Sequence, residues 1–516
     1  MRNIIVRKDA YYDSVFLMLI NQDVKKIDGI QEAVVAMGTD MNRDLLVDMG
    51  LSTDEVAAAG PNDLIIALDG SSEDALKAAE KAALELLHKK SAPGKGNEFR
   101  PTSVQSAVEQ MPDANVAIFS IPGKFVPREA RKALDRGLHC MVFSDNVSLD
   151  DEIRLKKLAR EKGLLFMGPD CGTAIINGKP LCFANVVRRG PIGIVAASGS
   201  GLQELTCSID KAGGGISQAI GTGGRDVKAE VGGIMMLTAL EALAGDPETR
   251  VLTVISKPPA ESVVDAVIET LKKSGKPSVV HFIGARRRED TDSIRFAPSI
   301  EDAAWMAVAA AGGPAYEAAE FSMDSASVEK IVTREAAGIG GKQKYLRGLF
   351  AGGTLAEEAL MVVHEVLGGV YSNVHPDQQY RLKDPSVSRE HSVIDLGDDT
   401  FTVGRPHPMI DVSIRNEQLE KELVSGEMAL LLLDFVIGYG AHTDPAGAMA
   451  AEIAAARKKV KDAGGYLPVI ASVTGTEADP QVLSRQRRIL EDAGCVVLPS
   501  NIQAARLAKR IMEKVG

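Results

Sequence analysis

Short apolar runs recur along the chain, and most are followed by a polar loop and then by a segment whose apolar positions fall three and four apart. Runs of the first kind suit buried strands, and segments of the second suit helices packed along one face, so the pattern predicts strands and helices in alternation. Up to about Lys90 it predicts strands at Ile4–Val6, Ala33–Met37 and Asp63–Leu68 and helices at Asp13–Ile20, Asn42–Met49 and Glu73–His88. Lys89–Thr102, rich in Lys, Gly and Pro, reads as an exposed linker. Strands resume at Val116–Ser120, Met141–Ser144 and Leu164–Met167 and continue near Ile194, Ile216, Val251 and Val279. A polar, Ala- and Gly-rich stretch, Pro314–Gly341, reads as a second linker, and a last unit opens at Gly348 and closes with Cys495–Ser500 and a helix.

Such alternation means parallel sheets with helices on both faces. The expected fold class is α/β, with three Rossmann-like or flavodoxin-like doubly wound parallel-sheet domains at residues 1–187, 188–335 and 340–516, and 1–95 as a candidate subdomain. The length of 516 residues accommodates about three domains. Aromatic residues make up only 4% of the chain, which suits close helix-to-strand packing.

Two strand-to-helix turns carry candidate chemistry. In Gly193–Leu202 and Leu430–Ala448 an apolar run ends in small residues and a hydroxyl or Asp cap before a helix begins. Unpaired N–H groups and the positive end of the helix dipole at such a start hold anions. Ser198, Gly199, Ser200 and Gly201 form the first candidate cradle, and Gly438, Gly440, Ala441, His442 and Thr443 the second. Each is equally explained as capping alone, since Ser is a preferred N-cap and Asp444-Pro445 reads as N-cap and first helical residue. His442 could bond phosphate or shuttle a proton near neutral pH. Gly221–Asp226 offers another anion-friendly turn, through Gly223, Gly224 and Arg225, and Gly352–Thr354 is either a third cradle or a short connection. His281 ends an apolar strand and is either a ligand-facing or a satisfied core residue.

The net charge of -11 argues against a nucleic-acid partner. Five scattered cysteines with no metal-ligand spacing indicate neither a disulfide framework nor a metal site, and point to a reducing compartment. Lys8, Asp9 and Asp13 interrupt the apolar amino terminus, and no run reaches the ~20 apolar residues of a membrane span. A cytoplasmic protein without membrane partners is expected.

Gly168–Gly178, followed by Gly193–Leu205 and Gly221–Asp226, resembles the α-subunit of succinyl-CoA synthetase, with its Gly-Pro-Asn-Cys loop, Ser-x-Ser-Gly-Thr turn and Gly-x-Gly-Gly-Asp turn in that order. Met409–Ser413 and Leu433–Asp444 resemble the CoA-ligase domain of that enzyme's β-subunit. Val6–Ile20, Met37–Leu46 and Gly60–Leu68 are similar to the FdrA branch of the superfamily. The resemblance implies an enzyme with partner subunits and homo-oligomeric assembly, transferring an acyl or carbamoyl group to or from inorganic phosphate. For that branch it extends to the oxamate carbamoyltransferase reaction of allantoin degradation, in which oxalurate and phosphate give oxamate and carbamoyl phosphate. The alternatives are an acyl-CoA synthetase component needing a separate ATP-grasp chain, and a non-catalytic binding subunit. The phosphate would lie between the two helix starts, with Lys257, Arg225 or His442 offsetting developing charge and Cys171, Gly223 and Gly224 near the substrate.

The departures shape these expectations. The active histidine of the α-subunit has no counterpart in Arg286–Ala304, and its glutamate partner falls where the chain has Ser256 and Lys257. No ATP-grasp segment separates the α-like from the ligase-like part. The family's CoA-binding glycine turn has no match in Arg7–Val15, so the sequence commits to no cofactor and leaves CoA open, with inorganic phosphate as a substrate.

Overall fold

The computed structural model describes residues 1–8, 10, 12, 14–91, 101, 103–402 and 405–515. Asp9, Asp13 and most of the expected linker at 89–102 fall outside them. The chain divides into two compact units, Met1–Pro101 and Thr102–Gly516.

In the first unit β1 (Arg2–Arg7), β2 (Ile30–Met37) and β3 (Leu64–Gly70) form a sheet in the order β1-β3-β2. Both pairings are antiparallel, which departs from the parallel arrangement expected of strand-helix alternation. The cause is topological: the first crossover leaves a gap between β1 and β2, and β3 returns in the opposite direction to fill it. Alternating residues of β3 serve two cores. Leu64, Ile66 and Leu68 pack under α1 (Ser14–Lys25) and α4 (Glu73–Ser91), while Ile65 and Ala67 face α2 (Asp40–Asp48) and α3 (Asp54–Ala57).

Among the described residues the second unit holds three sheets. The first, β4 (Val116–Phe119), β5 (His139–Val142) and β6 (Phe166–Met167), is parallel and carries α5 (Val104–Gln110), α6 (Val126–Asp135) and α7 (Leu149–Glu161). The second has seven strands in the order β13-β12-β11-β9-β10-β7-β8: β7 (Thr173–Ile176), β8 (Lys179–Cys182), β9 (Arg189–Ala197), β10 (Ile216–Gly221), β11 (Val251–Ser256), β12 (Ser278–Phe282) and β13 (Ile294–Phe296). The hairpin β7–β8 joins it antiparallel, so this sheet begins before residue 188. The third sheet is parallel, in the order β15-β14-β16-β17-β18: β14 (Tyr345–Phe350), β15 (Ser392–Asp395), β16 (Met428–Val436), β17 (Val469–Thr474) and β18 (Val496–Leu498).

The two large sheets share one helical layer. Between them lie α8 (Gly199–Lys211) and α11 (Ile300–Ala310) from one side and α13 (Gly353–Leu367) and α18 (Asn501–Val515) from the other, in a single core that joins Leu202 and Leu205 to Leu355, Leu360 and Ile511. The outer faces carry α9 (Ile234–Gly245) and α10 (Glu261–Ser274) on the seven-stranded sheet. On the five-stranded sheet they carry α15 (Ser413–Glu422), after the short α14 (Asp399–Thr402), then α16 (Pro445–Asp462) and α17 (Leu483–Asp492). The stretch expected as a bare linker holds α12 (Ser325–Ala336), which caps on Asp324 and buries Val328 and Val332 in the shared core. Its apolar residues sit one helical turn apart, a signal that the surrounding Ala and Gly had diluted.

Strand order reverses beside β9, whose neighbours are β10 and β11, and beside β14, whose neighbours are β15 and β16. Crevices open at the carboxyl ends of strands at such reversals. Because α8 and α13 both occupy the inner layer, the two crevices meet.

Candidate functional site

Ser198 follows β9 and caps α8, its hydroxyl accepting the Gly201 N–H at 3.1 Å. The same hydroxyl lies 2.6 Å from that of Thr354, in the first turn of α13. The two helix starts are therefore in contact. Among the described residues no protein group accepts the N–H of Gly199 or Ser200 at one start, or of Gly353, Thr354 or Leu355 at the other. Just before them Asp434, wholly buried at the end of β16, takes the N–H groups of Ala351 and Gly352 at 2.7 and 2.8 Å and fixes the turn into α13. Glycine is required here by close approach: a Cβ on Gly352 would stand 2.8 Å from Ser200 Cβ, and one on Gly201 2.8 Å from Thr354 Cγ2. Five free amides and two positive dipole ends thus face one crevice.

Charged side chains line it. Lys257, just past β11, pairs with Glu357 in α13 at 2.9 Å. Burial works against its charge, but the carboxylates of Glu357, Asp395 and Asp170 outweigh this and hold the ammonium above the ordinary lysine range. Asp395 ends β15 and accepts the Gly397 N–H at 2.9 Å, and burial pushes its pKa up to about 7 despite Lys257. Asp170 follows β6, and its pKa is pushed up to about 6, first by the mass of protein around it. Asp170 is exposed and the Lys257 side chain is 34% exposed, so groups that are both accessible and closely surrounded mark a concave mouth. The hydroxyls of Ser256 and Thr173, buried close to Lys257 and Gly199 in turn, have no partner among the described residues.

The second expected cradle lies elsewhere. Pro445 has no N–H, Ala446 donates to Gln486, and Gly447 and Ala448 donate to Asp444, so the start of α16 has no free amide. His442 Nδ1 accepts the Asp444 N–H, and the His442 N–H donates to Met409. Gly438 and Gly440 pack on Phe183, Ala184 and Asn185, and Tyr439 bridges Ala184. No hydrogen bond among the described residues joins Ser198–Gly201 to Gly438–Thr443, Ala441 and Thr443 included. The physical reason is the winding: α16 crosses to the outer face of its sheet, whereas α13 covers the inner one.

The remaining candidates have surroundings of their own. Arg225 is engaged by Glu152 at 2.9 Å and the Val147 carbonyl at 2.9 Å, and Glu152 also pairs with the fully buried Lys156, which reaches Asp226 and the Thr222 carbonyl. Cys171 is buried, its thiol pushed up to about 12 by that burial, with its Sγ against the space over Gly221. Gly223, at φ 81°, leaves no room for a Cβ beside the Pro169 carbonyl, while Gly224 faces open space. His281 is buried and its Nδ1 lies 2.9 Å from the Ala297 carbonyl. Thr354 belongs to the Gly352–Thr354 turn, which the sequence left as a third cradle or a short connection; Glu357, Asp395 and Asp170 were not read from the sequence as site residues, and for the last two an acid at or just past a strand end was the signal available.

Family models match three segments: a CoA binding domain over residues 188–284, a CoA-ligase over 349–511, and an "AllF, heavy metal-associated domain" over 1–102. The first two, on this fold, define a succinyl-CoA synthetase-like protein of the acyl-CoA ligase class. The chain belongs to the FdrA-like family: it is 43% identical over 512 residues, 99% of its length and 98% of the relative's, to the uncharacterized protein YahF of Escherichia coli (strain K12). It is also 29% identical over 36% of its length to the ADP-forming sulfoacetate-CoA ligase subunit SauD of Bilophila wadsworthia (strain 3_1_6), spanning 64% of that protein. It is 28% identical over 38% of its length to succinate–CoA ligase [ADP-forming] subunit alpha 1 of Archaeoglobus fulgidus, spanning 67% of it. Residues 1–102 contain no cysteine and one histidine, His88, so they lack the thiolates of a soft heavy-metal site and do not fit that group. No helix among the described residues is long and apolar enough to cross a membrane.

Proposed function

We propose that the chain is the acyl-transferring component of an acyl-CoA ligase, moving an acyl group between phosphate and the thiol of CoA at the meeting of α8 and α13. The observation that carries this reading is the set of five free amides from two helix starts, with Lys257 beside them. Such preorganised donors stabilise phosphate and the charge that develops as its bond to the acyl carbon forms or breaks. Relatives that are named as ligase subunits support this reading over carbamoyl transfer. With no ATP-grasp segment in the chain, nucleotide chemistry falls to a partner subunit. The active histidine is absent from its place in the family pattern, so the reaction of this chain ends at the acyl phosphate.

Arsenate supplies the test, because an acyl arsenate hydrolyses as soon as it forms. The expected result is arsenate-dependent release of free CoA thiol from an acyl-CoA, with succinyl-CoA and sulfoacetyl-CoA as first probes. The same rate with Lys257→Met and Gly353→Ala as with the wild type would contradict the assignment.

A further inference from the structure

His407 lies between Pro406 and Pro408, ahead of α15, and the two proline rings restrict the backbone on either side of it. Its Nδ1 accepts the Met409 N–H at 3.2 Å, so the neutral ring carries its proton on Nε2. That Nε2–H has no acceptor among the described residues. A Cβ on Gly397 would stand 2.6 Å from His407 Nε2, 2.9 Å from the Ala351 carbonyl oxygen and 3.1 Å from Asp395 Oδ1. These contacts leave no room for a side chain at Gly397 and hold His407 Nε2 against the turn that leads into α13, close to the Ala351 carbonyl and Asp395. Phe183 backs the imidazole, with ring centroids 5.8 Å apart. Burial pushes the His407 pKa down to about 4, so at neutral pH the ring is an uncharged donor. A neutral imidazole next to a reacting carbonyl polarises it without first having to shed a charge.

We infer that His407 touches the acyl group of the substrate held at the α8 and α13 starts and donates its Nε2–H to the carbonyl oxygen during transfer. This rests on the acyl-transfer reading above. In the step, the thiol sulfur bonds to the acyl carbon and the carbon–oxygen bond to phosphate breaks. Phosphate leaves with that electron pair and takes the thiol proton. His407 keeps its proton throughout, and with Nδ1 engaged and Nε2 protonated it is not the nucleophile.

The test pairs His407→Ala, which removes the donor, with His407→Gln, which retains an N–H. Thioester formation from acetyl phosphate and CoA gives kcat and KM, and the histidine ring nitrogens of the full chain are followed by NMR with phosphate and with acetyl phosphate. The expected result is a kcat lower by roughly 10²-fold in His407→Ala, partly recovered in His407→Gln, with KM for acetyl phosphate within about twofold. The Nε2 signal should move with acetyl phosphate. An unchanged kcat in His407→Ala overturns the inference, as do shifts at the Ser200 and Thr354 amides without one at His407. A wild type that makes no thioester, yet shows the His407 shift, overturns the acyl-transfer reading and leaves the contact with the acyl group standing.

Discussion

Ser198 Oγ and Thr354 Oγ1 lie 2.6 Å apart, a buried hydroxyl pair that joins helix starts 156 positions apart in the chain. Ser198 has two tasks, since it also caps Gly201. Ser198→Ala is expected to cost about 1–2 kcal/mol, the loss of a cap together with a buried hydrogen bond. Thr354→Val loses only the second. The two effects should fall short of additivity in the double variant by at least about 0.5 kcal/mol, measured by urea unfolding, because the variants delete one shared bond.

Space at the crevice gives a second expectation. Gly352→Ala places a methyl group 2.8 Å from Ser200 Cβ and 3.1 Å from Asp434 Oδ2, and Gly353→Ala drives one into Asp395. Either should lower phosphate affinity by roughly tenfold or more, read by calorimetry, as the amides are pushed out of register. Gly340→Ala, with nothing within 4 Å of its Cβ, is the control and should match the wild type.

The contrast between those glycines and Gly438 shows what the sequence could reveal. Apolar periodicity located most of the strands, though not β7, β8, β13 or β15, and it passed over α12; the Ser198 turn declared itself by its cap. Which helix start faces Ser198 depends on the side of the sheet to which each helix crosses, and no local pattern carries that. Both Gly352–Thr354 and Gly438–Thr443 have the composition of an anion site, but only winding puts the first in the inner layer and the second outside. His407 stood in a loop without periodicity, and its flanking prolines were the only mark it bore. The antiparallel β1-β3-β2 sheet eluded the pattern for a related reason, because strand-helix alternation does not state which strands become neighbours.

Lys257 and His442 separate the two placements in solution. Lys257→Met leaves Glu357 and Asp395 without their cation, and phosphate affinity should fall roughly 10- to 100-fold, the worth of a charged hydrogen bond. His442→Ala removes only the acceptor of the Asp444 N–H, so it should leave phosphate affinity at the wild-type value. It should cost up to about 1 kcal/mol of stability. Calorimetry and thermal unfolding on the same preparations check both.

Asp395 makes stability depend on pH in a defined direction. Folding raises its pKa from the ordinary 3.8 to about 7, so between those values the folded chain holds a proton that the unfolded chain releases. The contribution is most favourable below the unfolded value and declines as pH rises toward 7, with a slope on the order of 1.4 kcal/mol per pH unit at most. Asp395→Asn keeps an acceptor for the Gly397 N–H and does not ionise. Its Tm relative to the wild type should therefore rise between about pH 5 and pH 8. A difference that is flat or falls over that range would show that Asp395 is an ordinary ionised carboxylate.

The anion site proposed where α8 meets α13 is open to direct observation. Diffraction from crystals of the full chain soaked in phosphate tests it most directly. The expected result is an anion within hydrogen-bonding distance of the Ser200 and Thr354 amides and beside Lys257. An anion bound instead at Gly438–Thr443, with the α8 and α13 starts unoccupied, would contradict it.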